Sequence, residues 1–174
     1  CQIACKDKNN LKTGIIFRRV RSWETGKYPD PGYYHYSAGC NHCTNPRCVL
    51  TCPTKSMHFA PDGTVRHNPR ICILCQYCVK NCPYGVPQYS EKDEAVSKCD
   101  SCADLREQGL SPACVDACLM RCIEWGYLDE LKQKYGEGLT SDIAILPSSS
   151  TTTPSVLIRP HRRALDKSFK ETEI

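Results

Sequence analysis

Fourteen of the fifteen cysteines in this 174-residue chain fall into four groups whose spacings repeat. The first group is Cys1-x3-Cys5, and the second is Cys40-x2-Cys43-x4-Cys48-x3-Cys52 followed by Pro53. The third is Cys72-x2-Cys75-x2-Cys78-x3-Cys82 followed by Pro83, and the fourth is Cys99-x2-Cys102-x11-Cys114-x3-Cys118. Cys122 alone is left over. Thiolates in such runs do metal chemistry. A cubane iron–sulfur cluster has four iron corners, each taking one thiolate. A C-x2-C-x2-C loop wraps three of them, and the cysteine three residues on, followed by Pro, ligates a second cluster. Motifs of this type therefore work in pairs, each lending its fourth cysteine to the other.

The pairing expected here is nested. Groups two and three form one dicluster unit, with Cys40, Cys43, Cys48 and Cys82 on one cube and Cys72, Cys75, Cys78 and Cys52 on the other. Groups one and four form the second unit, with Cys99, Cys102, Cys114 and Cys5 on one cube. The last cube has Cys1 and Cys118, and its other two ligands are expected just upstream of Cys1, so the chain reads as an N-terminal truncation. Three cubes are then fully liganded within this sequence, out of four.

Two other uses of cysteine compete with this reading. A disulfide scaffold does not explain spacings that repeat, and an odd count leaves it a spare thiol. A zinc-stabilised binding module needs two C-x2-C pairs, and the third cysteine at x2 is then surplus. The formal charge of +4 invites a nucleic-acid reading. Each cube with its four thiolates carries about −2, so a loaded chain lies near −2 to −4, roughly, and the basic residues read as compensation for buried anions. No stretch is long and apolar enough to span a membrane. No Ser-His-Asp set, phosphate loop or dinucleotide fingerprint is present, so a catalytic site is expected on another chain.

Around the ligands, His42 reads as a hydrogen-bond donor to the ligand loop or a surface residue. Lys98, Arg70 and Arg121 flank ligand cysteines, where positive charge favours the reduced state, or else they are solvated charges. Tyr77, Tyr84 and Tyr89 read as shields against water. Cys122 reads as a small buried apolar residue.

The elements that must carry these loops are short. Residues 15–20 have strand composition, Pro29-Asp30-Pro31-Gly32 reads as a turn, and residues 33–36 lead back as a second strand. A turn at Pro61-Asp62-Gly63 precedes a strand over 64–66. Helices are expected over 103–108 and 128–135, the latter stopped by Gly136. From about Ser141 the composition turns to Ser, Thr and Pro, which reads as an extended arm without a packed core. The expected fold is α+β: two ferredoxin-like dicluster units, one inserted in the other. Residues 1–36 with 91–139 form the outer unit, 37–90 the inserted unit, and 140–174 the arm.

Several stretches resemble a known family, the four-cluster iron–sulfur electron-transfer subunits of molybdopterin oxidoreductases, of dimethyl sulfoxide reductase B-subunit type. They are Cys40-Asn41-His42-Cys43, Cys82-Pro83-Tyr84-Gly85-Val86-Pro87-Gln88-Tyr89, Lys98-Cys99-Asp100-Ser101-Cys102, Leu128-Asp129-Glu130-Leu131-Lys132 and Leu157-Ile158-Arg159-Pro160. The resemblance implies a molybdopterin-containing catalytic partner and a quinol-oxidising membrane anchor subunit. This chain would be the wire between them, moving one electron at a time and membrane-associated only through its partners. It also implies four [4Fe–4S] clusters, since Cys75 stands where some relatives carry Trp and bind a three-iron cluster. Subunits of thiosulfate, polysulfide, tetrathionate, nitrite or formate enzymes share the pattern. Leu74 departs from the family's usual Gly and is expected to crowd a cube. Leu119 departs from its usual Pro.

Overall fold

The computed structural model describes residues 1–172. Thirteen short elements alternate with loops that carry the cysteines. In chain order they are α1 (Gln2–Lys8), β1 (Arg19–Thr25), β2 (Gly32–Ala38), α2 (Arg47–Leu50), β3 (Met57–Phe59), β4 (Val65–His67) and α3 (Tyr77–Asn81). They continue with β5 (Gln88–Ser90), β6 (Ala95–Ser97), α4 (Ala103–Arg106), α5 (Ala113–Asp116), α6 (Leu128–Tyr135) and β7 (Phe169–Thr172). The strands form three antiparallel sheets: β2-β1-β7, β3-β4 and β5-β6.

Helix α6 has the bounds expected, with Asp129 and Glu130 in its first turn and Lys132 and Lys134 in its last, complementing the helix dipole. Strand β1 starts later than its composition suggests. The Ile16 backbone is taken up by the side chain of Gln88, which accepts from Ile16 N at 2.8 Å and donates to Ile16 O at 2.6 Å. That pairing diverts the apolar run into a crosslink to β5, and the ladder with β2 begins only at Arg19.

Two hydrophobic clusters hold the fold together. One is Cys48, Met57, Val65, Cys78 and Val96, so two of its five buried residues are cysteines. The other is Trp23, Ile143, Ile145 and Ala164, with Tyr34, Ile158 and Phe169 against it. The second cluster corrects the expectation of an unpacked arm. Composition across the arm is polar, but its few apolar residues bury against Trp23, which is 2% exposed. The Ser/Thr stretch is strapped to the second cysteine group. Thr44 and Asn45 donate backbone N–H groups to the carbonyls of Thr153 and Thr152 at 2.9 and 3.0 Å. Ser155 N donates to Asn41 O at 2.9 Å, and its hydroxyl to His42 O at 3.0 Å. Small polar side chains let the two backbones approach, and the loop's backbone groups find their partners there.

Asp62 ties the β3–β4 hairpin to α4. Its carboxylate accepts from Thr64 N at 3.0 Å and Thr64 Oγ1 at 2.6 Å, and from Arg66 and Arg106 at 2.7 and 2.9 Å. Arg106 in turn donates to Ser101 O at 2.8 Å and lies 4.7 Å from the Trp125 ring centroid. Burial raises the Asp62 pKa, but these donors outweigh it and hold the carboxyl well below the usual range. A depressed carboxylate stabilises the fold above its unfolded pKa, and the contribution drains away as pH falls below about 4. Asp62→Asn is expected to lower stability by about 1–2 kcal/mol at pH 7, the group being partly exposed. The gap to the parent protein should close as the pH falls below about 4, measured by anaerobic urea unfolding.

Candidate metal centres

The C-x2-C loops that open groups two, three and four share one backbone device. The residue just before the second cysteine is left-handed in all three: His42 at φ 41°, Leu74 at φ 57° and Ser101 at φ 62°. Gln76 and Cys102, at φ 60° and 50°, cap α3 and α4 in the same region. Left-handed residues in a tight loop turn backbone N–H groups towards one side, a concavity suited to anions. Ser101 N lies 3.4 Å from Cys99 Sγ, and Met57 N lies 3.4 Å from Cys52 Sγ. The departure at Leu74 bears on the backbone rather than on space. Its side chain is exposed, while the left-handed conformation costs a Leu about 1–2 kcal/mol that a Gly avoids.

Folding brings the cysteines together in sets of four. Cys40, Cys43, Cys48 and Cys82 line one cavity, walled by Pro46, Val65, Tyr84, Val86, Lys98 and Thr152 among others. Cys52, Cys72, Cys75 and Cys78 line a second, with Met57, His67 and Val96. Each set takes three cysteines from one group and one from the other, and α2 packs on α3 to make that exchange. Cys5 faces a third set, Cys99, Cys102 and Cys114, with α1 packed on α5.

Mutual proximity shows in the thiols. Burial pushes Cys48 up to about 12, with Cys40, Cys82 and Cys43 adding to it and Lys98 opposing. Burial pushes Cys78 up to about 11, with Cys52, Cys72 and Cys75 adding while the Val79 N–H opposes. Cys5 is pushed up to about 11 by burial and then by Cys99, Cys114 and Cys102, against Arg18. Four thiols facing one another resist ionising together unless a cation compensates, and coordinated iron inverts that balance.

The donor sets fit a cluster better than a single ion. Among the described residues no three Cys, His, Asp or Glu side chains converge closely enough to hold one metal ion. A zinc ion with bonds of about 2.3 Å needs that convergence. Four thiols spread around a cavity suit a larger group.

Cys1 and Cys118 line neither of the two cavities. Cys1 Sγ lies 3.3 Å from Ser37 Oγ, and Cys118 Sγ lies 3.6 Å from Cys122 Sγ. Cys122 is exposed, correcting its reading as a buried apolar residue. It follows the left-handed Arg121, which turns it outward.

The flanking residues divide. Lys98 is 6% exposed and donates to the carbonyls of Val65 and Cys99, so it is a fixed internal cation. Arg70 and Arg121 are exposed. Tyr84 walls the first cavity and pairs with Thr152 at 3.3 Å, Tyr89 packs on the core around Cys48, and Tyr77 is exposed and shields little. His42 accepts from Val65 N at 3.0 Å and pairs with Ser101 Oγ at 3.2 Å, bridging two cysteine loops. Thr152 and His67 line the two cavities without any mark in the sequence. Thr152 follows even the last cysteine of its cavity, Cys82, by 70 residues, and no local spacing announces either residue.

Paired cysteine sets on a scaffold of short helices and hairpins define an iron–sulfur dicluster protein. Residues 32–128 match the family described as 4Fe-4S dicluster domain. The sequence is 38% identical to the B subunit of anaerobic dimethyl sulfoxide reductase of Haemophilus influenzae, over 94% of this chain and 83% of that one. It is 38% identical to the corresponding Escherichia coli subunit, over 92% and 82%. It is 32% identical to the polysulfide reductase B subunit of Wolinella succinogenes, over 94% and 87%. This protein belongs to the 4Fe–4S dicluster family of iron–sulfur electron-transfer subunits of oxidoreductase complexes. Among the described residues no helix is long and apolar enough to cross a membrane.

Proposed function

We propose that the protein relays electrons between a quinol-oxidising membrane anchor and a molybdopterin catalytic subunit, in a complex of dimethyl sulfoxide reductase type. The observation that carries the relay is the grouping of twelve cysteines into three sets of four. Cys40, Cys43, Cys48 and Cys82 hold one cluster, Cys52, Cys72, Cys75 and Cys78 a second, and Cys5, Cys99, Cys102 and Cys114 a third. Cys1 and Cys118 belong to a fourth, whose other ligands lie outside these sets. Bound there, [4Fe–4S] clusters supply one-electron redox chemistry at potentials set by charge, hydrogen bonds and exposure. The protein's own part is to hold the thiolates, aim backbone N–H groups at them and keep water out with Val65, Tyr84 and Val86. Lys98 adds a fixed positive charge between the first set and the third, favouring reduction there.

The same grouping supports two interleaved units. Residues 37–90 carry the first two sets, and residues 1–36 with 91–139 carry the third. The packing of α1 on α5 and of α2 on α3 favours that division. The likeness to the polysulfide reductase B subunit supports a second reading, in which the same relay serves a sulfur-compound reductase.

Iron, acid-labile sulfide and zinc counted per polypeptide after anaerobic reconstitution test the reading. The expected result is ~12 iron with ~12 sulfide. Stoichiometric zinc without sulfide would overturn it.

A further inference from the structure

One side chain in the second cavity has no part in holding the thiolates. His67 ends β4 and lines the same cavity as Cys52, Cys72, Cys75 and Cys78. Its Nε2 is out of contact with solvent and has no hydrogen-bond partner among the described residues. An interior imidazole nitrogen left unpaired costs about 1–3 kcal/mol, and native structures keep few such atoms. Two other polar residues lining the cavity, Ser56 and Thr54, have contacts of their own. The Ser56 hydroxyl donates to Asn68 O at 2.6 Å, and Ser56 O pairs with Asn68 N at 2.8 Å and His58 Nδ1 at 3.0 Å. Thr54 Oγ1 lies 3.8 Å from Cys52 Sγ. The backbone of His67 is held opposite Met57 by the β3–β4 ladder, and Met57 is 1% exposed. The histidine of the first cavity differs, since both ring nitrogens of His42 have partners within the protein.

We propose that His67 donates an Nε2–H hydrogen bond to sulfur, either a sulfide or a ligand thiolate, of the cluster held by Cys52, Cys72, Cys75 and Cys78. The inference rests on the ligand assignment above. A neutral ring protonated at Nε2 and an imidazolium both present that donor. Hydrogen bonds to sulfur favour the state with more negative charge, so the donor raises the reduction potential of this cluster relative to its neighbours. His67 is thus a group that sets where an electron rests along the relay.

The test uses the full chain, reconstituted anaerobically, with histidine labelled by ¹⁵N. In the reduced parent protein, pulsed electron paramagnetic resonance should detect a histidine nitrogen coupled to one cluster. His67→Leu should abolish that coupling and move one midpoint in a redox titration to lower potential, leaving the others in place. His67→Gln, which keeps an N–H donor, should move it less. A His67→Leu protein with full iron and unchanged midpoints overturns the proposal. Should that variant load poorly, absence of any histidine coupling in the parent overturns it instead. Fewer than three clusters in the parent overturns the ligand assignment itself, a failure the iron count separates from that of His67.

Discussion

Replacing Cys82 by Ala is expected to perturb the cluster of the preceding cysteine group and leave that of its own group intact. Cys82 follows Cys78 by one helical turn, yet it lines the cavity of Cys40, Cys43 and Cys48, while Cys52 lines that of Cys72, Cys75 and Cys78. The reason is geometric. Three cysteines at x2 spacing curl round three corners of a cube, and the fourth leaves on a short helix pointing away from it. Here α2 leads from Cys48 to Cys52 and α3 from Cys78 to Cys82, and the two helices pack together. Paired substitutions make the outcome sharp. Cys48→Ala with Cys82→Ala removes two ligands of one set, so one cluster is lost, about four irons. Cys78→Ala with Cys82→Ala strikes two sets, so two clusters are perturbed and up to about eight irons are lost. Iron and sulfide counts with electron paramagnetic resonance spin quantitation read the difference. The reverse order of losses would mean that each group keeps its own cube and the crossed assignment is wrong.

Removal of the clusters by chelator under oxidising conditions is expected to unfold the region around them rather than leave an empty scaffold. The core there is Cys48, Met57, Val65, Cys78 and Val96, with Val49, Cys52, Cys72, Val79 and Tyr89 packed on it. Four of those ten residues are cysteines. Emptied, the core leaves two pockets lined by thiols, and few apolar contacts to hold the loops. Metal binding of this kind supplies folding free energy on the order of 10 kcal/mol, comparable to the stability of a whole small domain. The β2-β1-β7 sheet should fare better. Its core of Trp23, Ile143, Ile145 and Ala164 contains no cysteine, and Arg21 pairs with Glu171 at 2.6 Å across β1 and β7. Hydrogen exchange of the chelated protein should show protection lost over residues 40–100 and retained longest in β1 and β2. Full protection around Met57 and Val65 after complete removal of iron would show that the scaffold folds without its clusters.

Much of the site was legible because ligand spacing is a local, covalent property. A loop of fixed length either reaches three corners of a cube or does not, so the repeating x2 and x3 intervals carried the cofactor class and the family without any knowledge of the fold. Helix α6 was legible too, having enough residues for charge placement and a Gly stop to register. Helix α4, Ala103–Arg106, falls within the expected 103–108, but α2 and α5, at four residues each, were not legible. They are too short for hydrophobic periodicity, and the cysteines that nucleate them mask what pattern remains.

The cysteine runs and the family they mark were thus settled by the order of residues alone. Tertiary structure decided what depends on distant segments meeting. It closed the Ser/Thr-rich arm over the second cysteine group through Thr152 and Ser155, and it diverted Ile16 to Gln88 so that β1 starts late. It turned Cys122 outward and left a His67 nitrogen beside the second cavity without a partner among the described residues. The first two follow from backbone and side-chain polar groups seeking partners once burial removes water. Spacing in the sequence encodes no such meeting of distant segments, so only the folded protein reveals it.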